Sequence, residues 1–324
     1  MLGCLLARAG FVLAITLLCP LSAHAQDYPN RQLTIVVGVA PGGITDVSTR
    51  IYADVVSRSV GQKIIIENRP VGGGSVAAAT VQNAPPDGYT LLIIVGAQFS
   101  SQPAMQPAPY DPIKSFAPIT LLFRLPALLL VPVDSPANSV AELLDLGRTK
   151  PGGLSFGSPG AGSPGHLMAA KIGLATHTPM QFVHYRGGAP LMADLITGRV
   201  DFTFASYTAS RSHLEAGKLK ALAVDAEQRL PGLPNIATVV EVGLGQYRVA
   251  DWFGLAAPAA TPGAVVGKLH AEFVKASREP DLVRRLTENG TLIATSTPER
   301  MAVLIAEEVK NLGELVKTLG LGTQ

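Results

Sequence analysis

The chain has 324 residues, of which 47% are hydrophobic, 15% charged and 6% aromatic. This composition is too apolar and too weakly charged for an intrinsically disordered protein. The formal net charge of +2 offers no large basic excess to neutralise a phosphate backbone, so nucleic-acid binding is disfavoured. At roughly 100–200 residues per domain, the length predicts two domains, each large enough for its own core.

The first segment has the pattern of a secretory signal peptide. Arg8 precedes an apolar run from Gly10 to Leu18, and Ala23-His24-Ala25 is a small-x-small cleavage site. The apolar run is shorter than the ~20 residues that a membrane-spanning helix needs. We therefore predict that residues 1–25 are a signal peptide cleaved after Ala25, with an uncleaved anchor as the alternative.

Both cysteines, Cys4 and Cys19, lie within this predicted signal peptide. The chain that remains after cleavage has no thiol, which excludes disulfides, thiolate metal sites and cysteine nucleophiles. A lipid on Cys19 is disfavoured because the bulky Leu18 stands where lipidation signals have a small residue. The one other membrane candidate, Leu121–Val133, contains an arginine and two prolines, so we interpret it as two buried strands with a break.

Short apolar runs alternate with helical patterns from Leu33 onward, which is typical of an α/β protein. Continuous apolar strands between amphipathic helices indicate a parallel sheet that is buried on both faces. The predicted strands of the first half are Leu33–Val39, Ile64–Ile66 and Leu91–Val95. Those of the second half are Leu154–Phe156, Val200–Phe204 and Leu219–Val224. Helices are predicted after Asp46, after the capping box of Ser139, from His166, and after Thr261-Pro262 and Thr297-Pro298.

A glycine-rich loop, Gly160–Gly165, matches the G-x-G-x-x-G pattern of dinucleotide-binding proteins. Two observations oppose nucleotide binding. Pro164 removes a backbone donor from the turn, and His184 and Tyr185 stand where an acidic residue is needed. A glycine loop at a helix N-terminus still exposes backbone N–H groups that bind anions, including carboxylates.

The segment Ala40–Asp46 has the same construction after the first predicted strand. Taken alone, it is an ordinary strand-to-helix turn with Asp46 as the N-cap. Two such loops, one in each half and facing a shared cleft, favour a two-sided clamp for an anion. In this interpretation Asp46 orients the Gly42-Gly43 loop, and free N–H groups hold the ligand.

The sequence contains no complete hydrolase motif and no histidine pair with metal-ligand spacing, so we expect no metal and no cofactor. His166 begins the helix after the glycine loop and is either a ligand contact or a structural residue. Arg186, beside Gly187, either steers an anion or is an ordinary solvated cation. Asp46 and His166 form the only plausible acid–base pair, which keeps a periplasmic α/β enzyme as an alternative.

Several short segments, in one order along the chain, resemble a single family: the Bug, or TctC-type, periplasmic solute receptors of tripartite tricarboxylate transporters. The matching segments are Tyr28-Pro29, Ala40–Asp46, Glu67–Pro70, Pro86–Leu92, Tyr110–Pro112, Gly157–Ser163, His166-Leu167, Tyr185–Pro190, Gly217–Val224 and Trp252–Gly254. There are departures from the family pattern. Two prolines stiffen the second loop, and Ala205 stands where members often carry an acid, which disfavours pairing with a ligand ammonium. The identity of the ligand stays open.

The resemblance implies an α/β, two-domain periplasmic-binding-protein clamshell with two chain crossovers. We expect the crossovers near Phe123–Pro126 and Val249–Trp252, with residues 26–124 and 251–324 in domain 1 and residues 125–250 in domain 2. In such receptors two loops hold a ligand carboxylate through backbone N–H groups and bound waters. The predicted ligand-binding residues are Val39, Ala40, Pro41, Gly42, Gly43, Thr45, Asp46, Ser158, Gly160, Ala161, Gly162, Ser163, His166, Arg186 and Gly187.

The function implied by the resemblance is capture without catalysis. The expected protein is exported to the periplasm and monomeric, binds a small carboxylate, and delivers it to the membrane subunits of a transporter. It uses no cofactor and binds no nucleic acid. A ligand sensor for a membrane kinase is a second alternative that the sequence does not separate from transport.

Overall fold

The computed structural model describes residues 28–322, apart from residues 231, 250 and 289. The predicted signal peptide and both cysteines lie outside these described residues. Among the described helices, none combines the length and the apolar character that a membrane span requires.

Strands and helices alternate along most of the described chain. In chain order the strands are β1 (Leu33–Val37), β2 (Ile64–Asn68), β3 (Thr90–Val95), β4 (Phe116–Arg124), β5 (Ala127–Pro132), β6 (Leu154–Ser158), β7 (Met180–His184), β8 (Thr203–Ser206), β9 (Leu219–Val224), β10 (Trp252–Pro258) and β11 (Leu292–Ile293). The α-helices are α1 (Ile44–Val60), α2 (Ser75–Gln82), α3 (Gly96–Phe99), α4 (Ser101–Met105), α5 (Val140–Thr149), α6 (Pro164–Thr176), α7 (Gly188–Ile196), α8 (Tyr207–Glu215), α9 (Gly263–Ala276), α10 (Pro280–Glu288) and α11 (Pro298–Thr318). The interrupted apolar segment 121–133 forms parts of two strands, β4 and β5, as the sequence predicted.

The strands form two separate groups, which define two lobes. The first lobe is built on a six-stranded sheet with the order β11-β4-β10-β3-β1-β2. The second lobe contains a three-stranded sheet, β8-β5-β9, and a two-stranded sheet, β6-β7. These strands and the helices between them confirm the predicted α/β class.

The predicted parallel pairing holds for only some of the strands. Strands β1, β2 and β3 are parallel, as are β6 and β7. In contrast, β10 is antiparallel to both of its neighbours, β3 and β4, and β5 is antiparallel to β8 and β9. The reason is the path of the chain. It leaves the first lobe at the end of β4 and returns at the start of β10, so Arg124 and Trp252 pair at one edge with opposite strand directions.

The chain passes between the sheets of the two lobes twice. It leaves the first lobe through Leu125 and Pro126 and returns through Asp251, within the two segments where the crossovers were expected. The N–H of Leu125 donates to the carbonyl oxygen of Asp251 at 3.0 Å, so the two crossing segments are hydrogen-bonded to each other. These two segments connect the first-lobe sheet to the sheets of the second lobe.

The C-terminal helix α11 packs against both lobes. Met301 and Ile305, in its first half, belong to a first-lobe core that also contains Trp252. Leu312 and Val316, in its second half, belong to the main core of the second lobe. Burial of each such side chain stabilises the fold by about 1.5–3 kcal/mol, so this helix joins the two lobes on the side of the crossings.

Candidate functional site

A cavity of about 930 Å³ lies between the two lobes. Most of its wall is apolar. The apolar side chains come from both lobes and from the crossing segments: Ile44, Val95, Leu125, Leu191, Met192, Ile196, Phe204, Val249 and Phe253. Among the described residues, no lysine or arginine lines this cavity, and the ionisable side chains that do are His213, Asp225 and Asp251.

Two helix N-termini open onto this cavity, one from each lobe. Ile44 and Thr45 are the first residues of α1, and Gly188 and Ala189 are the first residues of α7. The N–H groups of a first helical turn have no acceptor within their own helix, and the helix dipole adds a partial positive charge. The cavity therefore offers backbone donors to an anion from two sides, without a lysine or arginine side chain among the described residues that line it.

The loop before α1 is held by Asp46, which is only 2% exposed. Its carboxylate accepts from the N–H of Gly42 at 2.9 Å, from Nδ2 of Asn68 at 2.9 Å and from Arg50 at 2.9 and 3.0 Å. Burial raises the pKa of Asp46, but the hydrogen bonds from Arg50, Gly42 and Asn68 lower it further than burial raises it. Asp46 is therefore an ionised, fully paired structural acid.

These contacts correct two details of the predicted clamp. Asp46 is not the N-cap of α1, because that position is occupied by Gly43 and no side chain caps the helix. The N–H of Gly42 is also not free for a ligand, since it donates to Asp46. The part of this segment that lines the cavity is the first turn of α1, where Thr45 was predicted as a site residue and Ile44 was not.

In the second predicted loop, residues 158–163, backbone N–H groups also form hydrogen bonds within the protein and are not free for a ligand. Gly160 N donates to Oγ of Ser158 at 3.1 Å, and Gly162 N donates to Nδ1 of His166 at 3.0 Å. Ser163 is the N-cap of α6, which begins two residues earlier than predicted. Of this loop and the first residue of α6, only Pro159 and Pro164 line the large cavity, and prolines have no N–H to offer.

Gly160, Ala161, Gly162 and Ser163 line a smaller cavity of about 390 Å³ on another side of the loop. Its opposite wall comes from α4 of the first lobe. Oγ of Ser101 donates to the carbonyl oxygen of Gly162 at 3.2 Å across the gap between the lobes. This loop therefore makes a contact between the lobes.

His166 is a structural residue in this geometry. It is 2% exposed, and its ring lies edge-on to those of Phe182 and His184, with centroids 4.6 and 4.8 Å away. Burial and the neighbouring His184 lower the pKa of His166 to about 4, so the ring is neutral at pH 7. A neutral ring that accepts at Nδ1 from Gly162 carries its proton on Nε2.

The remaining predicted residues lie near the helix starts. Val39, Ala40, Pro41 and Gly43 form the turn between β1 and α1, and Arg186 is exposed on the surface. Gly187 is the N-cap of α7, with a left-handed backbone of φ +104° that favours glycine. Contact of these residues with a ligand stays a prediction.

One acidic residue in the wall of the cavity, Asp251, was not predicted from the sequence. Asp251 lies at the second crossing and lines both the large cavity and an adjoining cavity of about 440 Å³. Burial, and then the nearby Glu308 and Asp225, raise the pKa of Asp251 to about 7. The available signal was a lone acid directly before the apolar stretch Trp252-Phe253, which we interpreted only as a returning strand.

The two acidic groups near Asp251, those of Asp225 and Glu308, each accept a hydrogen bond. Asp225 accepts from Nε of Arg248 at 2.5 Å, and Glu308 accepts from Nε1 of Trp252 at 2.8 Å. Burial raises the pKa of Glu308 to about 7, against the lowering effect of Trp252 and Arg124. Within residues 28–322, as far as they are described, no group of three or more His, Cys, Asp or Glu is placed to hold a metal ion.

Comparison with known proteins decides the family. A family model described as "Tripartite tricarboxylate transporter family receptor" matches residues 48–321. The chain belongs to this receptor family. It is 36% identical over 309 residues to a protein from the tcbD-tcbE intergenic region of Pseudomonas sp. (strain P51), covering 95% of this chain and 92% of the relative.

Solved structures of similar receptors share the fold. Periplasmic binding protein BugD is 30% identical, with a TM-score of 0.72 over 92% of this chain and 100% of its own. A protein of R. palustris solved with adipate is 33% identical, with a TM-score of 0.75 over 90% and 98% of the two chains. MatC from Rhodopseudomonas palustris, with bound malate, is 31% identical, with a TM-score of 0.71 over 89% and 100%. The resemblance to the Bug and TctC-type receptors is confirmed, and these relatives are solute-binding proteins.

Proposed function

We propose that this receptor is exported to the periplasm, captures a small carboxylate between its lobes, and delivers it to the membrane subunits of a tripartite tricarboxylate transporter. The observation that carries the proposal is the pair of helix N-termini that face one cavity from opposite lobes. Ile44 and Thr45 belong to the first lobe, and Gly188 and Ala189 to the second. A carboxylate that accepts from both would draw the lobes together around the hinge at Leu125 and Asp251.

Since no described lysine or arginine lines the cavity, backbone N–H groups would have to bind the ligand carboxylate. Backbone N–H groups of a helix start have fixed directions, so they select a planar carboxylate by geometry rather than by a flexible ion pair. The apolar side chains between the two helix starts favour a ligand with an aliphatic or aromatic body. Bound adipate and malate in two similar receptors support a carboxylate as the ligand class.

Delivery to a transporter follows from the family and defines the expected partners. We propose that the receptor is a monomer. We also propose that it carries its ligand unchanged, because Asp46 and His166, the one acid–base pair considered from the sequence, both form structural hydrogen bonds. Asp46 is paired with Arg50 and Gly42, and the neutral His166 accepts from Gly162. Neither side chain lines the large cavity.

A thermal-shift screen of the chain from residue 26 tests the ligand class. The panel contains mono-, di- and tricarboxylates, aromatic acids, amino acids and neutral sugars. A ligand at 100 times its Kd adds about 2.7 kcal/mol of stability, which raises Tm by roughly 5–11 °C for lobes of this size. A shift with sugars and none with any acid would reject carboxylate capture. NMR spectra of the acid that binds, followed for a day, would show conversion if the protein were an enzyme.

A further inference from the structure

Asp251, an acidic residue in the wall of the large cavity, has no role in the proposed function as stated so far. Asp251 lines the cavity between the lobes, and its backbone carbonyl oxygen accepts from the N–H of Leu125 at 3.0 Å. Among the described residues, no side chain or backbone N–H forms a hydrogen bond or an ion pair with this carboxyl group within ordinary contact limits. It is therefore an available polar group at a site otherwise lined by side chains such as Phe253 and Val249.

The ionisable groups nearest to Asp251 come from several elements, and the closest are acidic. Glu308 projects from α11, and Asp225 follows β9. The arginine beside Asp225 is already paired. Arg248 binds Asp225 at 2.5 Å and reaches Glu227 at 3.5 Å. A carboxylate between two further carboxylates, in a partly apolar wall, retains its proton more strongly than one in water.

The other charged groups of this region do not offset the effect of the two neighbouring acids on Asp251. Arg124, at the end of β4, and Lys171, on α6, act on Glu308. Arg229 lines the adjoining cavity but pairs with Glu241 at 3.0 Å. His213, on α8, and Asp225 line the large cavity together with Asp251.

We propose that Asp251, as a neutral carboxylic acid, donates a hydrogen bond to a second acceptor group on the ligand, so that capture takes up one proton from solvent. The inference rests on the proposed function and narrows its ligand class to dicarboxylates, or carboxylates with a carbonyl group at the far end. An ionised Asp251 would repel such a group. A protonated one forms a short, charge-assisted O–H···O bond with it.

The sheet order places both contacts at one edge of the first-lobe sheet. One strand, β3, separates β10 from β1, so the start of β10 and the strand that leads to α1 are two strand spacings, about 10 Å, apart across the sheet. Two hydrogen bonds of about 2.7–2.9 Å at the ends of the ligand leave room for a short carbon chain between its acceptor groups. That chain would lie against the apolar wall.

Calorimetric titration of straight-chain dicarboxylates, from malonate to pimelate, tests this inference. Each titration is run from pH 5.5 to 8.5 in buffers of different ionisation heat, which measures protons taken up on binding. We expect an uptake that approaches one proton near pH 8, and a Kd at least tenfold weaker at pH 8.5 than at pH 6.

Three variants test whether Asp251 is the group that takes up the proton. Asp251→Asn keeps a donor of the same shape, and it should bind with a Kd within a few-fold of the wild-type value at pH 6 and without pH dependence. Asp251→Leu, which has no donor, should bind at least tenfold more weakly at pH 6. His213→Gln should keep the proton uptake.

The outcomes separate this inference from the proposed function. Tight binding without proton uptake, or uptake that survives Asp251→Asn and disappears in His213→Gln, would overturn the role of Asp251 and leave carboxylate capture standing. Affinity for these dicarboxylates that rises with pH would show that capture does not take up a proton, and would also overturn it. If no carboxylate of any class binds at any pH, capture itself fails.

Discussion

The carboxylate of Asp46 accepts the backbone N–H of Gly42, four residues earlier, at 2.9 Å. The same carboxylate binds Arg50 and Asn68, so one buried side chain ties together the β1–α1 turn, the helix and the end of β2. The turn is thereby fixed in a conformation in which Gly43 is extended and the first turn of α1 opens onto the cavity. Asp46 positions the helix start without touching the ligand.

Replacement of Asp46 by Asn should therefore destabilise the protein. Both carboxylate oxygens accept from two donors each, and an amide group in either orientation would place its NH₂ against a donor. We expect urea unfolding to show a loss of about 2–3 kcal/mol. Asp54→Asn is the matched control on the same helix, because the carboxylate of Asp54 pairs with Arg58 and Arg285 at the surface. It should cost less than about 1 kcal/mol, and equal losses in the two variants would contradict the account.

The glycines of the second loop should differ sharply in their tolerance of a side chain. Gly162 has φ +72°, and a Cβ there would lie 2.1 Å from the sulfur of Met105, on the facing lobe. Gly160 has no atom within 4 Å of such a Cβ. Gly162→Ala should lower the free energy of unfolding by about 1–3 kcal/mol, and Gly160→Ala by less than about 0.5 kcal/mol. Chemical denaturation measures both, and a harmless Gly162→Ala would show that the contact between the lobes is absent in solution.

His166 should make stability depend on pH. Its pKa is lowered to about 4 in the folded protein from an ordinary value of 6.5, so between these values the unfolded chain binds more protons than the folded one. Stability should therefore fall as pH decreases from 6.5 to 4, by on the order of 3 kcal/mol for this group alone.

The measurement is Tm across this pH range for two matched variants. His166→Gln should reduce the slope. His177→Asn should leave it unchanged, since His177 is exposed at the end of the same helix and Asn tolerates its left-handed backbone. An unchanged slope in His166→Gln would assign the pH dependence to other groups.

Local patterns predicted the elements better than their directions. The apolar run Leu91–Val95 became β3, Thr90–Val95, because a buried strand has the same local pattern in any sheet. For that same reason, the sequence of β10 did not indicate that it is antiparallel to β3. Its direction is set by the return of the chain at Asp251, a relationship between segments more than a hundred residues apart.

In the candidate site too, local pattern predicted some features, and contacts between distant segments determined the others. Helix starts after glycine-containing turns predicted an anion site at the starts of α1 and α6. The start of α1 does line the cavity, but in the second lobe the backbone N–H groups at the cavity belong to the start of α7, while the loop before α6 and the first residue of α6 contribute only prolines. Which N–H groups are available depends on side chains that approach from elsewhere, such as Asp46 and His166, and this was not readable from spacing. Asp251 was missed because a single acid carries no motif, and its environment arises only when Glu308 and Asp225 pack beside it.

The central claim is that backbone donors at the start of α1 bind the ligand carboxylate, and Ile44→Pro tests it most directly. Proline is well tolerated at a first helical position, and the extended Gly43, with ψ 164°, suits a residue before proline, so the fold should persist while one N–H is lost. Ile44→Ala removes the side chain and keeps the N–H. For the carboxylate found in the screen, calorimetry should show a Kd at least tenfold weaker for Ile44→Pro than for Ile44→Ala. Equal affinities in the two variants, both with wild-type circular dichroism, would contradict the claim.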